Sequence, residues 1–124
     1  MAEHQNVATA RAMGEAMSRG DMQTAGSFLA DDVEWHEIGR AEARHGMREL
    51  QASMFDEGDA TITYKVHDVV GNDDHVVAMG EATATRPGRS LTYRTAEIYH
   101  FKNGKVSERW AFSDDTRAIT DFFG

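Results

Sequence analysis

At 124 residues and 13.8 kDa the chain has room for one compact domain, since a second of ordinary size would need roughly another 100 residues. Lys and Arg total 13 against 21 Asp and Glu, and the resulting net charge of -8 opposes binding to phosphate backbones and anionic membrane surfaces. The absence of cysteine excludes disulfides, thiolate zinc sites, iron–sulfur ligation and a cysteine nucleophile together. From the N-terminus, Val7, Ala10, Gly14 and Met17 recur at helical spacing, and Gly20 followed by Asp21 supplies a stop and then a cap. A first helix is therefore predicted to end near Arg19. Met22, Ala25 and Leu29 repeat the period in a second short helix, predicted to stop at Asp31-Asp32. Residues 33–38 alternate weakly and carry β-formers, which predicts a short strand closed by Gly39. Polar residues to His45-Gly46 then form a loop. Met47, Leu50 and Met54 mark a third helix, ended by the cluster Asp56-Glu57-Gly58-Asp59.

From residue 60 the apolar period changes from 3.6 to 2. Ile62, Tyr64, Val66 and Asp68 are predicted to share one face of a strand, and Gly71-Asn72-Asp73-Asp74 turns it into a second strand over 75–86. Pro87-Gly88 opens a third strand from Ser90 to Lys102. Asn103-Gly104 is the strongest hairpin signal in the chain, because a two-residue type I′ turn needs positive φ at both central positions. A fourth long strand follows to about Ser113. Asp114-Asp115 then caps a last helix with the apolar stripe Ala118, Ile119, Phe122 and Phe123.

This order predicts an α+β domain: one strongly curved antiparallel sheet, N-terminal helices over its concave face and a short C-terminal helix. Such a cone leaves an enclosed pocket at its open end. Bulky residues occupy both strand faces, with Tyr93, Tyr99 and Phe101 on one and Ile98 and His100 on the other. The outer face is thus expected to pair with a second copy of the chain. The longest apolar run, Val76 to Met79, is far short of the ~20 residues that span a bilayer, and the start MAEHQN has no signal-peptide pattern, so a cytoplasmic location is expected.

The segments LADDVEWHE at 29–37, HDVVGNDDHVVAMGEATA at 67–84 and IYHFKNGKVSERWAFSDDTRAITDFF at 98–123 resemble the SnoaL-like group of the nuclear transport factor 2-like superfamily. The resemblance covers nearly the whole chain. It implies the cone fold and chemistry of the ketosteroid isomerase or polyketide cyclase kind, on a small apolar carbonyl compound and without a cofactor. Overlay on ketosteroid isomerases puts Glu37 at the general-base carboxylate and Glu97, four residues before Phe101, at the neutral oxyanion-hole acid. That family's helix-one tyrosine falls on Met13, which has no donor, so steroid isomerisation by the familiar mechanism is not expected. Overlay on polyketide cyclases puts an acid/base aspartate at Asp114, four residues after Trp110. Overlay on the epoxide hydrolases of the superfamily finds Thr95 where they carry an arginine, so their acid-arginine-acid set is incomplete.

Each candidate also has a plainer role. Asp114 suits the cap of the last helix, Glu37 a solvated strand end, and Glu97 an ion pair with Arg86, Arg94 or Arg109. Met13, Trp35, Tyr99, Trp110 and Phe112 are expected to wall the pocket. His36, His67, His75 and His100 are read as polar residues satisfied on separate strands. No spacing among histidines and acids suggests a metal. Beside the enzyme stand two other readings: a binder of a small apolar ligand without turnover, and a dimeric interaction module.

Overall fold

The computed structural model describes residues 3–54 and 60–123. Helix α1 (Gln5–Ser18) buries Val7, Ala10, Met13 and Ala16 on one stripe, and Gly20 beyond its end takes a φ of 74°, the conformation that lets the chain reverse there. Asp21 then caps α2 (Met22–Ser27), its carboxylate accepting from the Thr24 amide at 3.1 Å. Contrary to the sequence reading, α2 does not continue to Asp31-Asp32. Leu29–Trp35 is strand β1, and the two aspartates lie exposed within it. The cause is tertiary: β1 pairs in parallel with the last strand, and the register slips between Leu29 and Glu34, where the aspartates stand. The expected loop before α3 (Gly46–Met54) contains a two-residue strand, β2 (Arg44–His45), paired with β1. The stop expected at Asp56 to Asp59 lies outside the described residues.

The second half follows the predicted meander: β3 (Thr61–Gly71), β4 (His75–Arg86), β5 (Arg89–Lys102) and β6 (Lys105–Ser113), then α4 (Thr116–Phe123). Asn103 and Gly104 have φ of 55° and 78°, as a type I′ turn requires. The six strands form one curved, unclosed sheet in the order β2-β1-β6-β5-β4-β3. No described helix is long and apolar enough to cross a membrane.

Two bulges decide which side chains face inward. On β3, Val66 pairs with Gly80 but Asp68 with Met79, so His67 is the extra residue and Asp68 leaves the face shared by Ile62, Tyr64 and Val66. On β6, Phe101 pairs with Val106 but His100 with Glu108, so Ser107 is the extra residue. Past that bulge Arg109 and Ala111 take the inner face, opposite Tyr99 and Glu97, and Trp110 and Phe112 take the outer one. The inner face holds two apolar clusters. One packs α1 and its neighbours on Val33, Trp35, Val76 and Val106; the other packs α4, through Ile119 and Phe122, on Ala82, Ala84 and Tyr93.

Candidate functional site

A polar strip crosses the inner sheet face at the level of Thr95 and Glu97, between the two apolar clusters. Alternation on β5 sends Tyr93, Thr95, Glu97 and Tyr99 inward, and all four are buried. Glu97 is ion-paired with Arg109, whose Nη2 donates to Oε1, and the two side chains are 12% and 11% exposed. Tyr99 donates to the other carboxylate oxygen at 3.3 Å. Arg109 is held from three further directions. Its Nη1 donates to the His36 carbonyl at 3.0 Å, its guanidinium carbon lies 4.4 Å from the centre of the Trp35 ring, and its backbone carbonyl accepts from the His36 amide at 2.9 Å. Its Nε is buried without a hydrogen-bond partner.

Tyr64 reaches the strip from β3. Its hydroxyl meets Thr95 Oγ1 at 2.9 Å, and it gets there by crossing β4 at Gly80. A β-carbon at position 80 would lie 2.5 Å from the Tyr64 hydroxyl oxygen, so the glycine is the opening through which the phenol passes. Burial, then the Glu97 charge, pushes the Tyr64 phenol up to about 12. The same two causes raise Tyr99 well above the ordinary tyrosine value. Both phenols are therefore neutral donors at physiological pH. Burial alone would lower Arg109, but the charge of Glu97, with smaller contributions from Tyr99 and Glu37, outweighs it and holds the guanidinium charged.

Glu37 stands just past β1 at the rim of this strip. Its carboxylate is 27% exposed and lies 3.7 Å from Arg44 Nε and 4.0 Å from Arg40 Nε. It also lines a groove of about 500 Å³, open to solvent, with His36, Ile38, Trp110, Phe112 and Thr116. Asp114 is elsewhere. Its carboxylate accepts from the Arg94 amide at 3.0 Å, extending the β5–β6 ladder, beside a second open groove of about 280 Å³. The cap of α4 is Asp115, which accepts from Ala118 at 3.0 Å.

The structure thus gathers Glu97, Tyr99 and Trp35 around Arg109, sets Glu37 at the margin, and leaves Asp114 apart. Met13 is 2% exposed in the helix-side core. Trp110 and Phe112, expected as pocket wall, line the open groove beside Glu37 from the outer face and are 39% and 54% exposed, because the Ser107 bulge inverts the alternation before them. Glu97, matched by resemblance to a neutral acid, instead accepts from a guanidinium and a phenol. Arg109 and Tyr64 were not among the expected site residues. The one available signal was electrostatic: an inward Glu97 requires a cation, and Arg109 is one of three in reach on the sequence.

Residues 10–109 match the family model of the SnoaL-like domain. The chain belongs to the SnoaL-like domain family. Solved structures agree over nearly its whole length. Bal32a, from a soil-derived mobile gene cassette, is 28% identical with a TM-score of 0.88, covering 97% of each chain. IdmH, a proposed polyketide cyclase from Streptomyces antibioticus, is 22% identical with a TM-score of 0.76 over 96% of this chain and 99% of its own. An LEH-like epoxide hydrolase of M. tuberculosis is 15% identical with a TM-score of 0.78, over 94% and 87%. The latter two likenesses carry the fold alone. No curated protein matches the chain. This SnoaL-like domain thus shares its fold with a proposed polyketide cyclase and an epoxide hydrolase.

Proposed function

We propose that this SnoaL-like domain is a small-molecule enzyme of the isomerase or cyclase type, which moves a proton on an apolar compound bearing a carbonyl group. The observation that carries this reading is Arg109: a buried cation, fixed by Glu97, Trp35 and the His36 carbonyl, that keeps one N–H without an acceptor. A fixed donor in a water-poor setting stabilises charge developing on a carbonyl oxygen far better than the same donor in water. Glu37 supplies the base in this scheme, because its charge acts on Arg109 and its side chain borders an open groove. Glu97 acts through Arg109, as the group that positions it. Tyr64, protonated, offers the hydroxyl donor that Met13 does not, whereas the Tyr99 proton is already given to Glu97.

The test is turnover of a conjugated steroid enone and of a β-keto polyketide ester, followed by absorbance. Glu37→Gln and Arg109→Met should each lower the rate at least about 100-fold with the far-ultraviolet CD spectrum kept, and Asp114→Asn should leave it unchanged. Absence of turnover with either compound overturns the catalytic reading. A second reading, binding of a small apolar ligand without turnover, is favoured by the ion pair that ties Glu97, the buried carboxylate among the described residues, to Arg109. It predicts saturable ligand binding that survives Glu37→Gln. In both readings a second copy of the chain is proposed to cover the outer sheet face, which the exposure of Trp110 and Phe112 supports, and light scattering on the eluted protein tests that.

A further inference from the structure

The outer face carries a cluster that the reaction above does not use. Parallel pairing of β1 with β6 sets Glu34 directly opposite Glu108, and like charges in that position repel. His36, just past the end of β1, places Nε2 3.2 Å from one Glu108 oxygen and 4.0 Å from Glu34. One ligand atom from each of these three residues falls within 4.8 Å of the others. Two more imidazoles flank them. His45 Nδ1 is 3.4 Å from Glu34, and His100 Nε2 is 3.9 Å from Glu108, buried and without a hydrogen-bond partner.

We propose that Glu34, His36 and Glu108 form a site for a divalent transition-metal ion of the zinc class, with His45 or His100 as the fourth ligand. The donor set selects the metal. Imidazole with carboxylate suits zinc, cobalt and nickel, whereas calcium and magnesium take oxygen ligands throughout. Ligands at about 2.0–2.1 Å from a tetrahedral ion stand roughly 3.3–3.5 Å apart, so the three ligand atoms here, all within 4.8 Å of one another, draw together by up to about 1.5 Å to hold one. Two carboxylates balance a dication, which turns the Glu34–Glu108 repulsion into attraction. All ligands come from one chain, so the site is complete without a partner. Two of its ligands, His36 and Glu108, also line the groove beside Glu37, so the site adjoins the one proposed for proton transfer, and its test reads metal uptake and not turnover.

The experiment is calorimetric titration of the untagged, metal-stripped chain with Zn²⁺, and with Co²⁺ read by visible absorption for tetrahedral coordination. Binding of one ion per chain is expected, with a rise in Tm on adding Zn²⁺. His36→Ala and Glu108→Gln should each weaken binding at least about 10-fold and abolish the Tm rise, and His67→Ala should change neither. His45 is exposed, so His45→Ala folds normally and with His100→Ala identifies the fourth ligand: one of the two weakens binding by a similar factor. The proposal is overturned if the wild-type chain takes up neither metal saturably. It is equally overturned if uptake survives both His36→Ala and Glu108→Gln, or if neither His45→Ala nor His100→Ala weakens it.

Discussion

Replacing Gly80 by alanine tests how the site is threaded together. The new β-carbon would lie 2.5 Å from the Tyr64 hydroxyl oxygen, 2.6 Å from Tyr64 Cζ and 2.7 Å from the Lys65 carbonyl oxygen. Ordinary contacts between such atoms run at about 3.5–4.0 Å, so each is short by roughly 1 Å. The phenol can swing away, but it then loses Thr95 Oγ1, a hydrogen bond of about 1 kcal/mol. The Lys65 carbonyl belongs to the β3 backbone and moves only with the strand. Overpacking of this kind costs about 1–3 kcal/mol. Against it, alanine restricts the unfolded chain and stabilises by about 0.4–1 kcal/mol. The clash wins, and Gly80→Ala should destabilise by about 1–3 kcal/mol. Urea unfolding with an unchanged m-value measures it. Tyr64→Ala in the same background should remove the phenol's share and leave the share due to Lys65. A loss within about 0.5 kcal/mol of zero, or strictly additive losses in the two variants, refutes the reasoning.

Arg109→Met leaves the Glu97 carboxylate buried beside one phenol and should destabilise by about 3–5 kcal/mol, whereas Glu97→Leu with Arg109→Met recovers most of that; urea midpoints of the three variants decide it. Tyr64, raised to about 12, keeps its proton in the fold at pH values where an unfolded tyrosine, near 10, has lost it. The unfolded chain then binds fewer protons, so stability should fall as pH rises from about 10 towards 12, and less steeply in Tyr64→Phe; urea midpoints against pH measure this. Asp115→Ala should destabilise by about 1 kcal/mol through loss of the α4 cap, and a thermal scan that shows no change counts against that cap.

The sequence patterns carried most of the architecture because they are local. Helical spacing placed α1 and α3, and Asn103-Gly104 placed the β5–β6 turn, since both depend on residues within a turn or two of each other. The second helix ran too far because Leu29 satisfies a helical period and β1 exists only by pairing with a distant strand. Bulges escaped for a related reason. One extra residue, His67 or Ser107, has no compositional mark, yet it inverts every side chain beyond it. Strict alternation from Val106 turns Trp110 and Phe112 inward and Arg109 outward, the reverse of the structure. Glu97 could be read as buried from its neighbours on β5, but its partner could not be chosen until the bulge was known. The cluster of Glu34, His36 and Glu108 has no spacing to detect, because His36 and Glu108 are 72 residues apart and meet through strand register.

The parallel seam between β1 and β6 also sets an order of assembly. Strands β3 to β6 join by successive short turns, so their pairing closes small loops. The hydrogen bond from Arg109 to the His36 carbonyl spans 73 residues and closes a large one. Contacts so distant in sequence form slowly. The meander can thus bring Glu97 and Arg109 together while the guanidinium still lacks the Trp35 ring and the His36 carbonyl, and the docking of β1 completes the pair. The two tryptophans stand on either side of that event: Trp110 belongs to the β5–β6 hairpin, and Trp35 arrives with β1. In refolding followed by fluorescence, Trp35→Phe should report the hairpin and Trp110→Phe the seam, with the second signal the slower of the two.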